Sequence, residues 1–499
     1  MSGVGGGGSL RTRTVRSLGV VLAFRVLTLA YQIVKARFLD QVSVGIVALG
    51  ETLIGFVQTF ADQGVERAAV QVEGDDRKVL NTALCLRLAF SVPCYAILWF
   101  VAPMWGTWQG GEFAAEVTWV VRLVGLNLVI GVVSIVPSAQ FTRHLLFGRI
   151  ETAQFSAILL SSGLGIYLLW VHKMGYRAVA ISAVANVGAY TLFVSAMNPA
   201  HFGRGWDRET ARRLLGYGKY VFAGSVLIYL INYVDNVIIS SERGVAELGV
   251  YAMAFTWGNR VVLDFTHVAS KVMFPTLSRL QSDPSRFRGA YLNALRFGAF
   301  LVCPLALGMA AVSETFVPCV LGATWDPEVT KLLPVLCVYG CLRSFASIHG
   351  DALAASGRPR LVTLTSALFL ALVVPSGVLA ARAHGALGLT YAFVSVSFLA
   401  NLFAIVLVRR ALAASIGEIA EWILRPLAAA GLMAGGVWGL SRTWPGKGWT
   451  ELGTLVLTGA ALYLLGSLLL QRATLRETWG LLREALHIKT PSVDARPEA

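Results

Sequence analysis

Long apolar runs separated by short polar stretches occupy the chain from residue 14 to residue 471. Each run reaches the length of about 20 residues that an α-helix needs to cross the hydrocarbon core of a bilayer. The runs fall at 14–38, 44–70, 79–106, 116–137, 152–171, 176–196, 217–240, 245–278, 290–312, 329–350, 361–381, 385–408, 422–441 and 450–471. This pattern predicts an all-α polytopic membrane protein of about 14 transmembrane helices. The longest polar stretch between them is 197–216, so no extramembrane domain is expected. A flexible cytoplasmic tail is expected over 1–13 and a second cytoplasmic tail over 472–499, where Leu475, Trp479, Leu482 and Leu486 share one helical face.

A faint internal repeat organises the runs. Val44-Gly45-Ile46-Val47-Ala48 returns 204 residues later as Leu248-Gly249-Val250-Tyr251-Ala252, each copy opening the second helix of its half. The layout predicts a lobe of six helices over 14–196, a cytoplasmic linker over 197–216, a second six-helix lobe over 217–410 and two further helices over 411–471. Six helices per half give both lobes the same orientation, a parallel repeat around a central cavity of the kind that secondary transporters use.

Composition agrees. Of 499 residues, 56% are hydrophobic and 14% charged, against about 25% charged in soluble domains. Soluble enzymes and nucleic-acid-binding domains are therefore excluded as readings. The net charge of +14 is concentrated between apolar runs, as in Arg143 and Arg149, Arg208, Arg212 and Arg213, Arg286 and Arg288, and Arg409 and Arg410. The alternate loops carry Glu112, Glu116, Glu314, Asp326 and Glu328 instead. The positive-inside bias places both termini in the cytoplasm. A signal peptide is not expected at the start, because the first run is long and contains Arg25 and Lys35. Trp99, Trp105, Trp108 and Trp119 cluster around one outer loop and Trp438, Trp444 and Trp449 around another, as interfacial anchors do. Gly431, Gly435 and Gly439 suit close helix packing.

The six cysteines form no CxxC pair and read as buried small hydrophobes, and the seven histidines show no metal-ligand spacing. No metal and no cofactor is expected. Gly216-Tyr217-Gly218-Lys219 lacks the earlier glycine of a phosphate-binding loop, so ATP hydrolysis is not expected either.

Ionisable residues inside apolar runs are the candidate chemistry, because burying them in a membrane is costly and they mark pathways. On the first helix Arg25, Thr28, Gln32 and Lys35 share a face; on the second, Glu51, Gln58 and Asp62 do. The seventh carries Asn232, Asp235 and Asn236. The eighth carries Arg260, Asp264, His267 and Lys271 at i, i+4, i+7 and i+11, and single arginines stand at Arg87, Arg122, Arg296 and Arg343. A cavity richer in Arg and Lys than in acids would attract a diphosphate, since guanidinium–phosphate pairs are bidentate and charge-assisted. Asp264 and His267 suit proton coupling. The plainer readings stand beside these: Arg25, Arg87 and Arg122 snorkelling to an interface, Lys35, Asp62, Arg67 and Lys271 doing so near helix ends, Arg260 with Asp264 as a structural pair, and His267 as a packed histidine.

Several segments then carry a resemblance. Gly216-Tyr217-Gly218-Lys219-Tyr220, Tyr233-Val234-Asp235-Asn236-Val237-Ile238-Ile239, Glu247-Leu248-Gly249-Val250-Tyr251-Ala252 and Phe274-Pro275-Thr276-Leu277-Ser278-Arg279-Leu280 resemble the polysaccharide-type flippases. These are the Wzx-like members of the multidrug/oligosaccharidyl-lipid/polysaccharide exporter superfamily. In the first half, Phe38-Leu39-Asp40, Gly45-Ile46-Val47-Ala48 and Phe60-Ala61-Asp62-Gln63-Gly64 are similar too, so the resemblance spans about 14–470 through the order of its motifs.

The resemblance implies alternating access and a cargo of undecaprenyl-diphosphate-linked oligosaccharide, moved across a bacterial inner membrane for surface polysaccharide synthesis. It implies Arg25, Arg87, Arg122 and Arg260 as cationic cavity residues and matches Asp235 to a recurrent acid of the seventh helix. The candidate substrate-binding set is therefore Arg25, Gln32, Gln58, Arg87, Arg122, Asn232, Arg260 and Lys271, with Tyr229 and Asn259 as further sugar-bonding side chains. The candidate ion-coupling set is Asp235, Asp264 and His267. Expected partners are the lipid-linked oligosaccharide and membrane lipids, with proton or sodium coupling and a polysaccharide polymerase left open, and no nucleic acid. A lipid II flippase or a multidrug antiporter of the same superfamily is the alternative. A membrane-embedded glycosyltransferase or polymerase fits less well, because every outer loop is short.

Overall fold

The computed structural model describes residues 26–62, 64–72, 75–144, 146–198, 205–412, 414–443 and 448–486. Side chains at 67, 76, 217–221, 223, 260, 261, 263–265, 267–269, 271, 272, 479 and 481–486 are also outside the description. The expected tail over 1–13, Arg25 and the end of the C-terminal tail therefore lie outside the described residues, as do the side chains of Arg260, Asp264, His267 and Lys271.

All regular structure among the described residues is helical. The helices begin with α1 (26–38), α2 (Gln41–Asp62), α3 (Val65–Gln71), α4 (Asp76–Trp105), α5 (Ala114–Gly125) and α6 (Asn127–Ile130). They continue with α7 (Ile135–Arg143), α8 (Phe147–Trp170), α9 (Tyr176–Met197), α10 (Arg208–Arg243), α11 (Val245–Arg279) and α12 (Pro284–Ala311). The remainder are α13 (Ser313–Phe316), α14 (Glu328–Ala355), α15 (Pro359–Leu412), α16 (Ile416–Thr443), α17 (Trp449–Leu470) and α18 (Arg472–Leu486). Ten helical stretches among the described residues are long and apolar enough to cross a bilayer, and two of them, Arg77–Arg143 and Pro359–Leu412, hold more than one of the apolar runs. The chain is an all-α, multi-pass membrane protein. Helix α11 is not among the ten, and its sequence carries Arg260, Asp264, His267 and Lys271 along its middle.

Local chemistry explains where the helices stop. The apolar run at 44–70 is two helices, because Gly64 takes φ 69° between them. The runs at 361–381 and 385–408 are joined through a sharp break at His384 and Gly385, the glycine at φ 62°. Its new helical end is capped by Glu247, whose carboxylate accepts from the Ala386 N–H at 2.5 Å. The run at 116–137 is broken at Leu126 between α5 and α6 and by a tighter turn at Gly131–Ser134 between α6 and α7. Helix α10 starts nine residues earlier than the apolar run because Asp207 caps it, accepting from the Thr210 N–H at 2.7 Å. Half of the predicted linker is therefore helical.

By packing, the chain divides into two compact units. One holds the described residues up to 255 with 320–332 and 366–393; the other holds 256–319, 333–365 and 394 onward. Within the first unit the two copies of the repeat meet. A Cβ at Gly45 would fall 2.0 Å from the Val245 carbonyl oxygen, and one at Gly249 would fall 1.8 Å from the Gln41 carbonyl oxygen. Each glycine thus touches the repeat-equivalent of the residue its counterpart touches. This reciprocal crossing is a local pseudo-two-fold contact that only glycine permits. Nearby, buried Trp325 donates from its indole to the Ala36 carbonyl at 2.7 Å, pinning residues 320–332 to α1.

In the second unit, Arg296 on α12 is buried, ion-paired to Glu477 on α18 and stacked 5.0 Å from the ring of Trp422. That pair holds the amphipathic C-terminal helix against the bundle. Polar side chains bridge its inner helices: Thr266 donates to Ser344 at 2.7 Å, and Tyr291 meets His349 Nδ1 at 3.0 Å.

Candidate functional site

The first unit encloses a polar cavity of about 610 Å³. Helix α1 contributes Thr28, Tyr31 and Lys35, which recur at i, i+3 and i+7 and so face one way. Helix α2 contributes Glu51, Gln58 and Asp62, the stripe its sequence predicts. Arg87 comes from α4, Glu66 from α3, Asn127 from α6 and Ser134 from the turn after it. Ser161 and Ser162 on α8, Ser182 and Asn186 on α9 and Tyr233 on α10 close the wall.

Hydrogen bonds fix this lining. Tyr31 and Ser182 share their hydroxyl hydrogens across 2.6 Å, and Asn186 donates to Ser161 Oγ at 3.0 Å. Tyr229 and Tyr233 stack with ring centroids 4.8 Å apart. They lie against α2 at Gly55, where a Cβ would come within 3.3 Å of the Tyr229 ring. Tyr229 donates its hydroxyl to the Thr52 carbonyl, and Asn236 donates to Thr52 Oγ1 at 3.0 Å. The cavity wall is thus held by side chains that each spend one hydrogen-bonding group on a neighbour.

Among the described residues the lining carries Glu51, Asp62 and Glu66 against Lys35 and Arg87. Arg87 is ion-paired to Asp62 and is largely buried, whereas Asp62 is half-exposed. Of the described arginines in apolar runs, the fold places two away from this cavity. Arg296 is used up by Glu477. Arg122 lies on a different face of α5 from the cavity residues, in a separate groove where its Nε donates to the Trp99 carbonyl at 3.3 Å.

The other candidates place as follows. Gln58 and Arg87 line the cavity, and Gln32 is half-buried on α1 beside the lining face without being part of it. Asn232 is half-buried on α10. Asp235 is buried; its carboxylate accepts from the Tyr251 hydroxyl at 2.8 Å and from the Asn236 N–H at 2.9 Å, outside the cavity lining. Asn259 is buried in the second unit. Sequence reasoning missed Tyr31, Glu66, Asn127 and the serines of α8 and α9. The available signal was the i, i+4 spacing of Ser182 and Asn186 in an otherwise apolar helix. Among the described residues no group of three or more His, Cys, Asp or Glu is placed to hold a metal.

A lining of hydroxyls, amides and carboxylates with aromatic rings beside it can hydrogen-bond a polyhydroxylated solute from many directions. It lies in a bundle of helices long and apolar enough to cross a membrane.

Comparison with known proteins places this geometry. The chain superposes on the solved structure of the lipid II flippase MurJ in an inward closed conformation with a TM-score of 0.73, over 91% of this chain and 98% of that one, at 12% identity. It superposes on an inward-facing multidrug resistance MATE family transporter of the MOP superfamily with a TM-score of 0.61, over 79% and 96%, at 16% identity. The fold is therefore the polytopic helical fold of those transporters. In sequence the chain is 22% identical over 379 residues to the lipopolysaccharide biosynthesis protein WzxC of Escherichia coli (strain K12), covering 75% of each chain. It is 23% identical over 316 residues to the teichuronic acid biosynthesis protein TuaB of Bacillus subtilis (strain 168), covering 61% of this chain and 62% of the relative. Residues 34–330 match the model of the polysaccharide biosynthesis protein family, and the chain belongs to that family.

Proposed function

We propose that this protein is a flippase that moves a lipid-linked oligosaccharide across the membrane, and that the sugar portion occupies the cavity of the first unit. The observation that carries the reading is the cavity's lining: Tyr31, Gln58, Asn127, Ser161, Ser182 and Asn186 offer donors and acceptors for a sugar, while Lys35 and Arg87 supply positive charge for a phosphate. Family membership and the relatives in lipopolysaccharide and teichuronic acid synthesis support the cargo class. No bond is made or broken in such a step; the work is differential binding between states of the carrier.

In this reading the two six-helix lobes, 14–196 and 217–410, alternate access around a central cavity, and the lipid tail stays in the bilayer. The protein sits in a bacterial inner membrane with both termini in the cytoplasm, as its arginine-rich stretches favour. In the same reading Arg25, Arg260 and Lys271 are candidate diphosphate-binding cations. Asp235, Asp264 and His267 couple movement to protons or sodium. A polysaccharide polymerase taking the cargo on the far side is the partner that this activity calls for.

One observation favours a second reading. The excess of carboxylates in the described lining would also suit an organic cation, the cargo class of a multidrug antiporter. Binding to purified protein in nanodiscs separates the two. The flippase reading expects a polyprenyl-diphosphate oligosaccharide to be retained and ethidium not to compete with it. Retention of ethidium alone would install the second reading.

A further inference from the structure

Helices α4 and α5 form an open groove of about 750 Å³ on the first unit, separate from the polar cavity and sharing no lining residue with it. Its walls are apolar and aromatic, with Tyr95, Trp99, Pro103, Trp119 and Leu123 among them, and one charged side chain, Arg122, lines it. No carboxylate lines the groove. Arg122 is held in place from two sides. Its Nε donates to the Trp99 carbonyl at 3.3 Å, and its guanidinium stands 4.5 Å from the Trp99 ring centroid. The Tyr95 hydroxyl donates to the Arg122 carbonyl at 3.1 Å and fixes the backbone beneath it. Among the described residues the terminal amino groups of the Arg122 guanidinium make no hydrogen bond.

The surroundings say what kind of ligand. Trp99, Trp108 and Trp119 are exposed, and exposed tryptophans of a membrane protein gather at headgroup depth. Arg177 stands 5.7 Å from the Trp119 ring, where it donates to the Tyr176 hydroxyl at 3.2 Å and interacts with the Glu116 carboxylate. A cation at that depth above an apolar furrow is complementary to a phosphodiester with a hydrocarbon chain attached. We propose that this groove binds one anionic phospholipid, its phosphate paired with Arg122 and one acyl chain laid along the wall of Trp99, Trp119 and Leu123. The segment from α5 into α6 then has two working faces: Leu123 and Leu126 meet the lipid, while Val124 and Asn127 face the polar cavity. The lipid buttresses the cavity wall from outside.

The test is native mass spectrometry of the full chain in detergent, titrated with phosphatidylglycerol or with phosphatidylcholine of the same acyl chains. Wild type retains one phosphatidylglycerol in preference to phosphatidylcholine. Arg122→Ala lowers that preference by about tenfold, the loss expected for one charge-assisted pair. Arg442→Ala, which removes another tryptophan-stacked arginine 4.9 Å from the Trp438 ring, leaves it unchanged. Should Arg122→Ala not fold, Leu123→Trp fills the furrow with the cation kept and displaces the same lipid. Equal retention of the two lipids by wild type, or an undiminished preference in a folded Arg122→Ala protein, overturns the proposal. So does displacement of the phosphatidylglycerol by an equimolar polyprenyl-diphosphate oligosaccharide, which would make the groove a cargo site.

Discussion

Arg87 and Arg122 look alike in the sequence, each a single arginine within an apolar helix, and their neighbours give them different work. Arg87 faces Asp62 in the polar cavity, and Arg122 stacks on Trp99 in an apolar groove. The face of a helix that a residue occupies is legible from spacing, but what packs against that face is not, so Gln58 and Asp62 were readable as cavity residues whereas Arg122 was not separable from them. The serines were silent for another reason. Ser161 also donates to the Ile158 carbonyl of its own helix, as serines in apolar helices commonly do, so nothing in the sequence marks it as part of a site. The Arg87–Asp62 pair yields predictions of opposite sign. Arg87→Ala lowers affinity for a diphosphate-bearing cargo by about tenfold, the size of one lost charge-assisted contact. Asp62→Asn releases Arg87 and raises that affinity by a factor of about two to five, as expected for a half-exposed pair. Cargo titration against both purified variants checks the signs.

At the scale of the element, the apolar runs located the helices well and their ends poorly. Length and hydrophobicity are carried by every residue of a run, whereas an end depends on one or two. Gly64 and Gly385 at positive φ divide or turn helices, and Asp207 extends α10 beyond its apolar part. The half-buried Asp207 carboxyl is held below its usual range by its hydrogen bonds to Thr210. A depressed carboxyl stabilises above its unfolded pKa and loses that contribution as pH falls through the folded one. Asp207→Ala is therefore expected to lower the melting temperature at neutral pH, with the difference from wild type vanishing in acid below the usual aspartate range, as paired melting curves would show. The crossing of α2 and α11 gives a stronger effect. Gly45→Ala and Gly249→Ala each place a methyl against a backbone oxygen that no rotamer can move, costing about 1–3 kcal/mol or more. Because both methyls wedge the same crossing, the double variant should cost less than the sum, since the first substitution already spreads the helices. Strict additivity in thermal unfolding of the four proteins would contradict the shared contact.

For the whole molecule, composition and run spacing sufficed for the class, and the order of loose motifs sufficed for the family that residues 34–330 match. The repeat at 44–48 and 248–252 was visible because glycine has no substitute where two backbones touch. Which charges pair with one another was not visible, as the Arg87–Asp62 and Arg296–Glu477 ion pairs show. The account stands on one activity, and it is measured most directly in liposomes that carry a fluorescent polyprenyl-diphosphate oligosaccharide in both leaflets. A membrane-impermeant reagent that bleaches the fluorophore irreversibly reports the cumulative fraction that has reached the outer leaflet. The account predicts that liposomes holding the protein expose nearly the whole pool, that those without it expose about half, and that Arg87→Ala slows the change by about tenfold. Exposure that stays at half with folded protein, while ethidium moves under the same conditions, would contradict it.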